Sequence, residues 1–346
     1  MARLARLALL VAPSLALAGC PDDEPSADTE PMASGFAPED SAGQESPSSA
    51  TADDTTPTPT TAEPTTTTAP PWDGTAYVGE IVGILTVTFT PANPHVDHDV
   101  VGLAGAYRST EVGWDDTLDL YSPLAYLLAF PAPPDDLDTL VPAQPVPVFD
   151  WGDDDDWLVA GNGMKLRAGE DGPELLACLL AAGNQGQYPV YRSSAAMGVP
   201  AECNPAATAW SSATVYDVVA YGGDLFEDNV LPARVTTPPE LVVTGPDLDG
   251  FETQLPADED LVVTWEAGDD PEARIVIRVV DADTNVITVS AADDGEFTIP
   301  AAELGALTLG PLDLLVARER TDRVQLTAGG LTVLTRFERW GFFDLF

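Results

Sequence analysis

Apolar positions at alternate residues recur along the chain after residue 72. Residues 84–90 alternate apolar side chains with threonine, and residues 100–107 and 214–221 are further apolar stretches of strand length. A period of two places every second side chain on one face, which is the pattern of a half-buried β-strand. The pattern therefore predicts a β-rich domain over residues 73–240.

Two stretches of this region predict other structure. Residues 173–182 are a helix candidate, because Pro173 stands where helices begin and Gly183 where they end. A buried strand is the alternative, since a short apolar run fits both. Residues 131–147 contain six prolines and are predicted to cross the surface as an extended loop.

Strand signals become regular beyond the Thr-Thr-Pro-Pro sequence at residues 236–239. Turn residues separate seven short apolar stretches, which are 241–244, 261–265, 274–280, 286–290, 297–299, 312–318 and 331–337. Seven short strands over about 100 residues are typical of an immunoglobulin-like β-sandwich. The predicted fold is therefore mainly β, with two β-rich domains, 73–240 and 241–346, of which the C-terminal one is an immunoglobulin-like β-sandwich.

Three features of residues 241–346 and their lead-in resemble the fibronectin type III domain. A Pro-Pro pair at 238–239 precedes the first strand, and residues 261–265 end on a tryptophan as that family's second strand does. Leu304 stands where the family has a leucine at the corner before a later strand. The resemblance implies that Trp265 and Leu304 lie in the core of the sandwich.

The first twenty residues carry the pattern of an export leader. Arg3 and Arg6 precede an apolar stretch over residues 7–17, and residues 17–20 read Leu-Ala-Gly-Cys. This motif resembles the lipobox of bacterial lipoproteins, which implies a signal peptide at 1–19 and lipid attachment at Cys20. An ordinary secretory leader is the alternative. The resemblance implies a protein of the bacterial cell envelope, lipid-anchored at the outer membrane or the cell surface.

Composition predicts a tether and excludes one class of partner. Residues 20–72 consist mostly of Pro, Ser, Thr, Ala, Asp and Glu, so they bury too little apolar area to offset the entropy of ordering. They are predicted to be a disordered tether. The chain carries 57 acidic and 14 basic residues, a formal net charge of -43. Such charge repels nucleic acid, and the expected membrane contact is through the lipid anchor alone.

The three cysteines divide into one lipid site and one pair. Lipidation of Cys20 leaves Cys178 and Cys203, and an even number of cysteines in an exported protein predicts a disulfide. The bond would close a loop of about 26 residues, worth roughly 3–4 kcal/mol on the chain-entropy model. Two free thiols are the alternative.

Two groups of residues are candidate metal ligands. His95, Asp97 and His98 offer nitrogen and carboxylate ligands of the kind that zinc binds, with an exposed polar loop as the alternative. A run of four carboxylates suits calcium, which takes six to eight oxygens, with a solvated acidic loop as the alternative. This run comprises Asp153, Asp154, Asp155 and Asp156. No cofactor is expected, with this calcium ion as the alternative.

The sequence contains no Gly-x-Ser-x-Gly motif of nucleophilic catalysis. We therefore expect a lipid-anchored exported protein that acts without catalysis in surface binding, adhesion or a structural role, with a protein or glycan as ligand. One alternative is an extracellular hydrolase whose catalytic domain is 73–240. Another is a calcium-dependent structural module. No oligomeric state follows from the sequence.

Overall fold

The computed structural model describes most of the chain after residue 78. The described residues are 79–95, 97–109, 118–119, 130–131, 133–146, 157–161, 163–180, 190–193, 203, 207–223, 227–250 and 253–346. All of them belong to one compact unit, residues 70–346. The predicted leader, the predicted lipidation site Cys20 and the predicted tether lie outside the described residues, as do the four acids at 153–156. No helix in the described ranges has the length and apolar character needed to cross a membrane.

The described chain is mainly β, which confirms the fold class predicted from the sequence. Its strands are β1 (Ile81–Thr90), β2 (Val100–Ser109), β3 (Leu118–Asp119), β4 (Phe130–Pro131), β5 (Thr139–Pro145), β6 (Trp157–Leu158), β7 (Gly163–Arg167), β8 (Glu174–Leu180), β9 (Val190–Ser193), β10 (Val215–Ala220), β11 (Asn229–Thr236), β12 (Val243–Gly245), β13 (Gln254–Leu255), β14 (Leu261–Trp265), β15 (Ala273–Val280), β16 (Asn285–Ala291), β17 (Glu296–Ile299), β18 (Gly310–Gln325) and β19 (Gly329–Leu345). The described helical elements are a 3-10 turn (Ala207–Ala209) and α1 (Ala301–Leu304).

One large sheet contains 14 of these strands. Its order is β11-β10-β7-β8-β9-β2-β1-β19-β18-β15-β16-β5, with β6 beside β2 and β13 beside β19. Strand β1 lies in the interior of the sheet, antiparallel to β2 and parallel to β19. The sheet is therefore continuous through the two regions that the sequence distinguishes, and their division into two domains stays a prediction.

The C-terminal region is an immunoglobulin-like β-sandwich. Its first, second and fifth strands form the three-stranded sheet β12-β14-β17, and its other four strands, β16-β15-β18-β19, belong to the large sheet. Side chains from both sheets, including Trp265, Ile277, Leu314 and Phe343, form a core between them. Leu304, at the end of α1, is also fully buried in this core. All seven strands predicted for this region are present.

The last two strands are much longer than predicted. Strands β18 and β19 contain 16 and 17 residues and pair from Gly310↔Leu345 to Gln325↔Gly330. One half of this hairpin covers the sandwich core. The other half places Leu331 and Val333 in a second core, whose centre includes Leu85 of β1. The hairpin therefore contributes to both cores, which lie on the same face of the large sheet.

The predicted helix over residues 173–182 is wrong. Glu174–Leu180 form strand β8, which pairs with β7 on one side and β9 on the other, so the alternative of a strand is confirmed for these residues. Leu175 and Ala177 point into the first core and are fully buried. The proline-rich residues 131–147 also differ from the prediction, because they contain β5. That strand lies at the edge of the sheet, where proline is tolerated.

The predicted disulfide between Cys178 and Cys203 is confirmed. Cys178 lies on β8, and the buried Cys203 lies just before the 3-10 turn. Their Cα atoms are 5.7 Å apart, within the ordinary range for a disulfide. The bond ties the segment between β9 and β10 to β8, an interior strand of the sheet.

Candidate functional site: a buried polar face of the sheet

The large sheet has a polar face opposite its two cores, and this face is buried. On β15, Ile275 and Ile277 point into the sandwich core, so the alternate residues Arg274 and Arg278 point to the other side. The same alternation on β1, β16, β18 and β19 completes the set. We call the following ten residues the polar face: Thr86, Thr88, Thr90, Arg274, Arg278, Thr288, Ser290, Glu319, Arg336 and Glu338.

A row of alternating charges crosses the middle of the polar face. Thr88 lies beside Arg336, Arg336 lies opposite Glu319, and Glu319 lies opposite Arg274 on the neighbouring strand. The Nε atom of Arg336 donates to Oε2 of Glu319 at 2.5 Å. The Nε and Nη2 atoms of Arg274 donate to Oε1 at 3.2 and 2.7 Å. Glu319 therefore bridges two arginines.

The neighbouring arginines keep the carboxyl group of Glu319 ionised. Burial alone would raise the pKa of its carboxyl group, but the charges of Arg336, Arg274 and Arg278 outweigh burial and lower the pKa to about 2. The side chains of Glu319 and Arg336 are both completely buried. The carboxylate is therefore ionised throughout the neutral range, and its low pKa makes it unsuited to accept a proton as a general base at neutral pH.

Unsatisfied hydroxyl groups flank the charged row on both sides. Three lie on β1 and two on β16, and they belong to Thr86, Thr88, Thr90, Thr288 and Ser290. All five side chains are fully buried, and none of the five oxygens has a hydrogen-bond partner among the described residues. A buried hydroxyl without a partner costs about 1–3 kcal/mol. The polar face therefore contains five buried hydroxyls whose hydrogen-bonding capacity the described residues leave unused.

Asp313 lies two strand positions beyond Leu315 on the same side of β18 as the polar face. It is paired with Val280 on one neighbouring strand and Phe342 on the other. Burial raises the pKa of its carboxyl group to about 7. Asp313 therefore changes its charge near neutral pH, whereas Glu319 does not.

His95, one of the predicted zinc ligands, is part of an aromatic cluster. Its ring centroid lies 4.8 Å from that of Phe342 and 6.0 Å from that of Trp340, both in edge-to-face contact. Its Nε2 atom lies 3.0 Å from the carbonyl oxygen of Leu248. The ring is buried, so its geometry is that of a packed side chain that connects β19 to the loop after β12.

The other predicted metal ligands are placed differently from His95. Asp97 and His98 are exposed to solvent. Within the described part of the chain, no group of three or more His, Cys, Asp or Glu side chains is arranged to hold a metal ion. The run Asp153, Asp154, Asp155 and Asp156 lies outside the described residues, so the calcium alternative stays a prediction.

The sequence analysis missed the polar face, although one signal was present. Every basic residue after residue 240 lies on β15, β18 or β19, and the set comprises Arg274, Arg278, Arg318, Arg320, Arg323, Arg336 and Arg339. Charged side chains concentrated in strands that also carry core residues indicate ion pairs across the sheet. Which charges pair depends on strand register, which the sequence leaves open.

No protein-family model matches the chain, and no curated protein matches it at a significant level.

Proposed function

We propose that the chain is a lipid-anchored, exported protein of the bacterial envelope that binds a ligand without catalysis. The observation that carries the proposal is the polar face. Its charged groups Glu319, Arg336 and Arg274 are paired with one another, and its hydroxyls are unpaired. The two arginines keep Glu319 ionised and unsuited to proton transfer at neutral pH, which favours binding over catalysis at this row of charges.

The disulfide supports the exported location. Bonds such as Cys178–Cys203 persist in oxidising compartments outside the cytosol and are rare inside it. The Leu-Ala-Gly-Cys sequence at residues 17–20 supports lipid attachment at Cys20. Two or more acyl chains hold a protein on a membrane stably, whereas one chain gives marginal binding. The outer membrane or the cell surface is the proposed location.

The C-terminal sandwich supports a role in binding or display. The arrangement of its strands, with Trp265 and Leu304 buried in the core, fits the resemblance to fibronectin type III domains. Sandwiches of this kind occur in many cell-surface proteins. A protein or a glycan is therefore the proposed class of ligand.

Two groups in the first region favour binding over the hydrolase alternative. The hydroxyl of Tyr216 donates to the carbonyl oxygen of Ala209 at 3.0 Å and accepts from the amide of Ser211 at 2.9 Å. Burial raises the pKa of Tyr216 despite the hydrogen bond that its hydroxyl accepts from Ser211. Lys165 pairs with Glu174 at 2.7 Å. Both side chains serve local structure, so the hydrolase ranks second to a binding protein.

Cell fractionation tests the anchor. The parent protein is expected in the membrane fraction, and the variant Cys20→Ala in the soluble fraction, because the variant lacks the acylated thiol. Pro21→Ala is the matched control, since it changes the next residue but keeps the Leu-Ala-Gly-Cys motif. Membrane fractionation of Cys20→Ala at the level of the parent would overturn the proposal.

A further inference from the structure

We propose that the free edge of strand β17 binds an extended, basic segment of a partner protein. This inference deepens the proposed binding function and rests on it. The partner segment would pair with β17 as an additional antiparallel strand of the sheet β12-β14-β17. Its recognition would depend on the backbone of Glu296 and Thr298 and on the negative charge around them.

The backbone groups of Glu296 and Thr298 point away from the neighbouring strand. Strands β14 and β17 are antiparallel, and the amide of Trp265 donates to the carbonyl oxygen of Gly295 at 2.9 Å. Hydrogen-bonded pairs alternate along such a ladder, so Phe297 bonds to β14 and the residues on either side of it do not. The amide and carbonyl groups of Glu296 and Thr298 have no hydrogen-bond partner among the described residues. Two donors and two acceptors are therefore free at this edge.

The other edge strands of the two larger sheets are blocked against further pairing. Strand β11 contains Pro232 and a residue of positive φ, Ala233, and its register with β10 shifts. Strand β5 contains Pro142 and Pro145, and its register with β16 also shifts. The register of β12 with β14 shifts as well. Prolines and bulges protect sheet edges, whereas β17 contains no proline and pairs with β14 in continuous register. This edge is therefore open to a further strand.

The side chains of β17 determine which partner fits. Glu296 and Thr298 are exposed on the outer face of the sheet, and Phe297 between them is partly buried at the rim of the sandwich core. In an added antiparallel strand, the residues opposite Glu296 and Thr298 have their side chains on that outer face, and the residue between them lies beside Phe297. A basic residue would pair with Glu296, and an apolar residue would cover Phe297. The partner segment is therefore expected to alternate basic and apolar residues.

The charge of this sheet favours a basic partner. Residues 241–272 and 291–309, which contain β12, β14 and β17, carry 14 acidic residues and no basic residue. Exposed acids lie along the edge, because Asp294 precedes Glu296 and Asp260 accepts a hydrogen bond from the first amide of α1, just after the strand. Complementary charge speeds the encounter with a partner and suppresses partners of like charge.

A second copy of the chain is the competing occupant, because two β17 edges can pair with each other. Such a dimer would place two acidic sheets side by side, in a chain whose net charge is -43. A charged side chain on an edge strand discourages pairing between identical edges. Glu296 therefore disfavours the second copy and favours a basic segment.

The test is binding of the fluorescein-labelled peptide Lys-Val-Lys-Val-Lys-Val-Lys to the purified full chain, measured by fluorescence anisotropy. The salt concentration is about 0.15 M, which screens non-specific attraction of the peptide to the acidic surface. Saturable binding is expected. Backbone N-methylation of two lysines should weaken it at least tenfold, because the lysines opposite Glu296 and Thr298 donate to their carbonyl oxygens. Methylation of two valines is the matched control, because the valine amides point away from β17.

Variants of the protein test the same edge. Thr298→Pro should weaken binding at least tenfold, because it removes an amide donor at a position where an edge strand tolerates proline. Thr298→Val keeps that amide and should bind as the parent does. Glu296→Gln should weaken binding about two- to fivefold. Its control is Glu272→Gln, which removes the same charge from an exposed residue before β15 and should leave binding unchanged.

Three results would overturn the proposal. The first is the absence of saturable binding, and the second is equal binding of the two N-methylated peptides or of Thr298→Pro and the parent. The third is a peptide-free chain that sediments as a dimer and becomes a monomer in Thr298→Pro, because the edge would then belong to a second copy. The methylated peptides keep the test decisive if Thr298→Pro does not fold. Failure of the Cys20→Ala test would leave these measurements intact, so the two proposals fail separately.

Discussion

Glu319 and Arg336 form an ion pair in which neither side chain reaches solvent, with 2.5 Å between Nε and Oε2. The carboxylate also holds Arg274, which is partly exposed and donates in addition to the carbonyl oxygen of Pro134. The pair therefore joins the two longest strands on the side opposite the cores. Its contribution depends on both partners being present, because a single buried charge is much more costly than a matched pair.

The first prediction concerns this pair. Glu319→Gln should lower the free energy of unfolding by about 3–5 kcal/mol, since it removes the buried negative charge that bridges Arg336 and Arg274. The double variant Glu319→Leu with Arg336→Met should recover most of that loss. Chemical denaturation with urea measures both effects.

An exposed pair serves as the control for this measurement. Lys165 and Glu174 are 2.7 Å apart, but the side chain of Glu174 is 42% exposed. Glu174→Gln should therefore change the free energy of unfolding by less than about 1 kcal/mol. A loss at Glu319→Gln no larger than that at Glu174→Gln would contradict the importance of the buried pair.

The second prediction is a pH dependence from Asp313. Burial raises its pKa from 3.8 to about 7 in the folded protein, so the folded state binds this proton more tightly than the unfolded state does. The stability that protonation of Asp313 provides is therefore fully present below pH 4 and decreases as the pH rises from about 4 to 7. Above pH 7 it no longer changes with pH. Asp313→Asn should stabilise the protein by about 1–3 kcal/mol at pH 8.5 and have little effect at pH 4.

Denaturation at a series of pH values tests this prediction. Glu319 acts in the opposite sense, because its lowered pKa gives stability that is present above about pH 4.5 and is lost toward pH 2. Measurements between pH 5 and 8.5 therefore avoid Glu319, and the difference between the parent and Asp313→Asn cancels the other groups that the two proteins share. Parallel stability curves for the parent and Asp313→Asn over that range would refute the prediction.

The third prediction concerns one end of the sandwich, where Asp293 joins two buried side chains. Its Oδ1 atom accepts from Nε1 of Trp265 and from Nη2 of Arg318, both at 2.9 Å. Arg318 is only 2% exposed. Asp293→Ala should therefore cost about 3–5 kcal/mol and change the fluorescence of Trp265.

The neighbouring Asp294 provides the control for Asp293, because it is exposed. Asp294→Ala should change the free energy of unfolding by no more than about 0.5 kcal/mol. Equal effects of the two substitutions would show that the bonds to Trp265 and Arg318 add little. The comparison uses adjacent residues of the same type, so net charge changes equally in both variants.

The fourth prediction concerns the disulfide. The free energy of unfolding of the double variant Cys178→Ser with Cys203→Ser should be about 2–4 kcal/mol lower than that of the parent. Reducing agent should lower the unfolding temperature of the parent and leave that of the double variant unchanged. An identical response of both proteins to reducing agent would show that the bond does not stabilise the fold.

The strands of the sandwich could be predicted because the alternation of apolar and polar residues and the positions of the turn residues indicate the same strand boundaries. Residues 261–265 coincide with β14, and the other six predicted strands differ from the structure mainly in length. The extension of β18 through Arg320 and Arg323 could not be predicted, because the polar residues there have the composition of a loop. They are a strand because β19 pairs with them along their whole length. Pairing of that kind is a tertiary property.

The polar face could not be predicted from the same alternation. The pattern at residues 84–90 shows that threonines share one side of the strand, and the simplest interpretation places that side in water. In the structure Thr86, Thr88 and Thr90 are fully buried. The alternation of apolar and polar residues distinguishes the two faces of a strand, but it does not reveal whether the polar face is exposed to water or covered by other parts of the protein. The helix predicted at 173–182 was wrong for a related reason, since pairing on both sides of β8 outweighs a local start signal.

The position of β1 has a mechanical consequence. The chain enters the described fold through this strand, which is bonded on one side to β2 and on the other, in parallel, to β19 from Ile81↔Gly329 to Phe89↔Phe337. Tension transmitted through the residues before Ile81 would load both rows of hydrogen bonds together, whereas a strand at the edge of the sheet would peel away one bond at a time. Resistance to such pulling is governed by the rate of unfolding under load. A protein held by its N-terminal side against flow or against a bound partner would thus carry the load at the interior of its largest sheet.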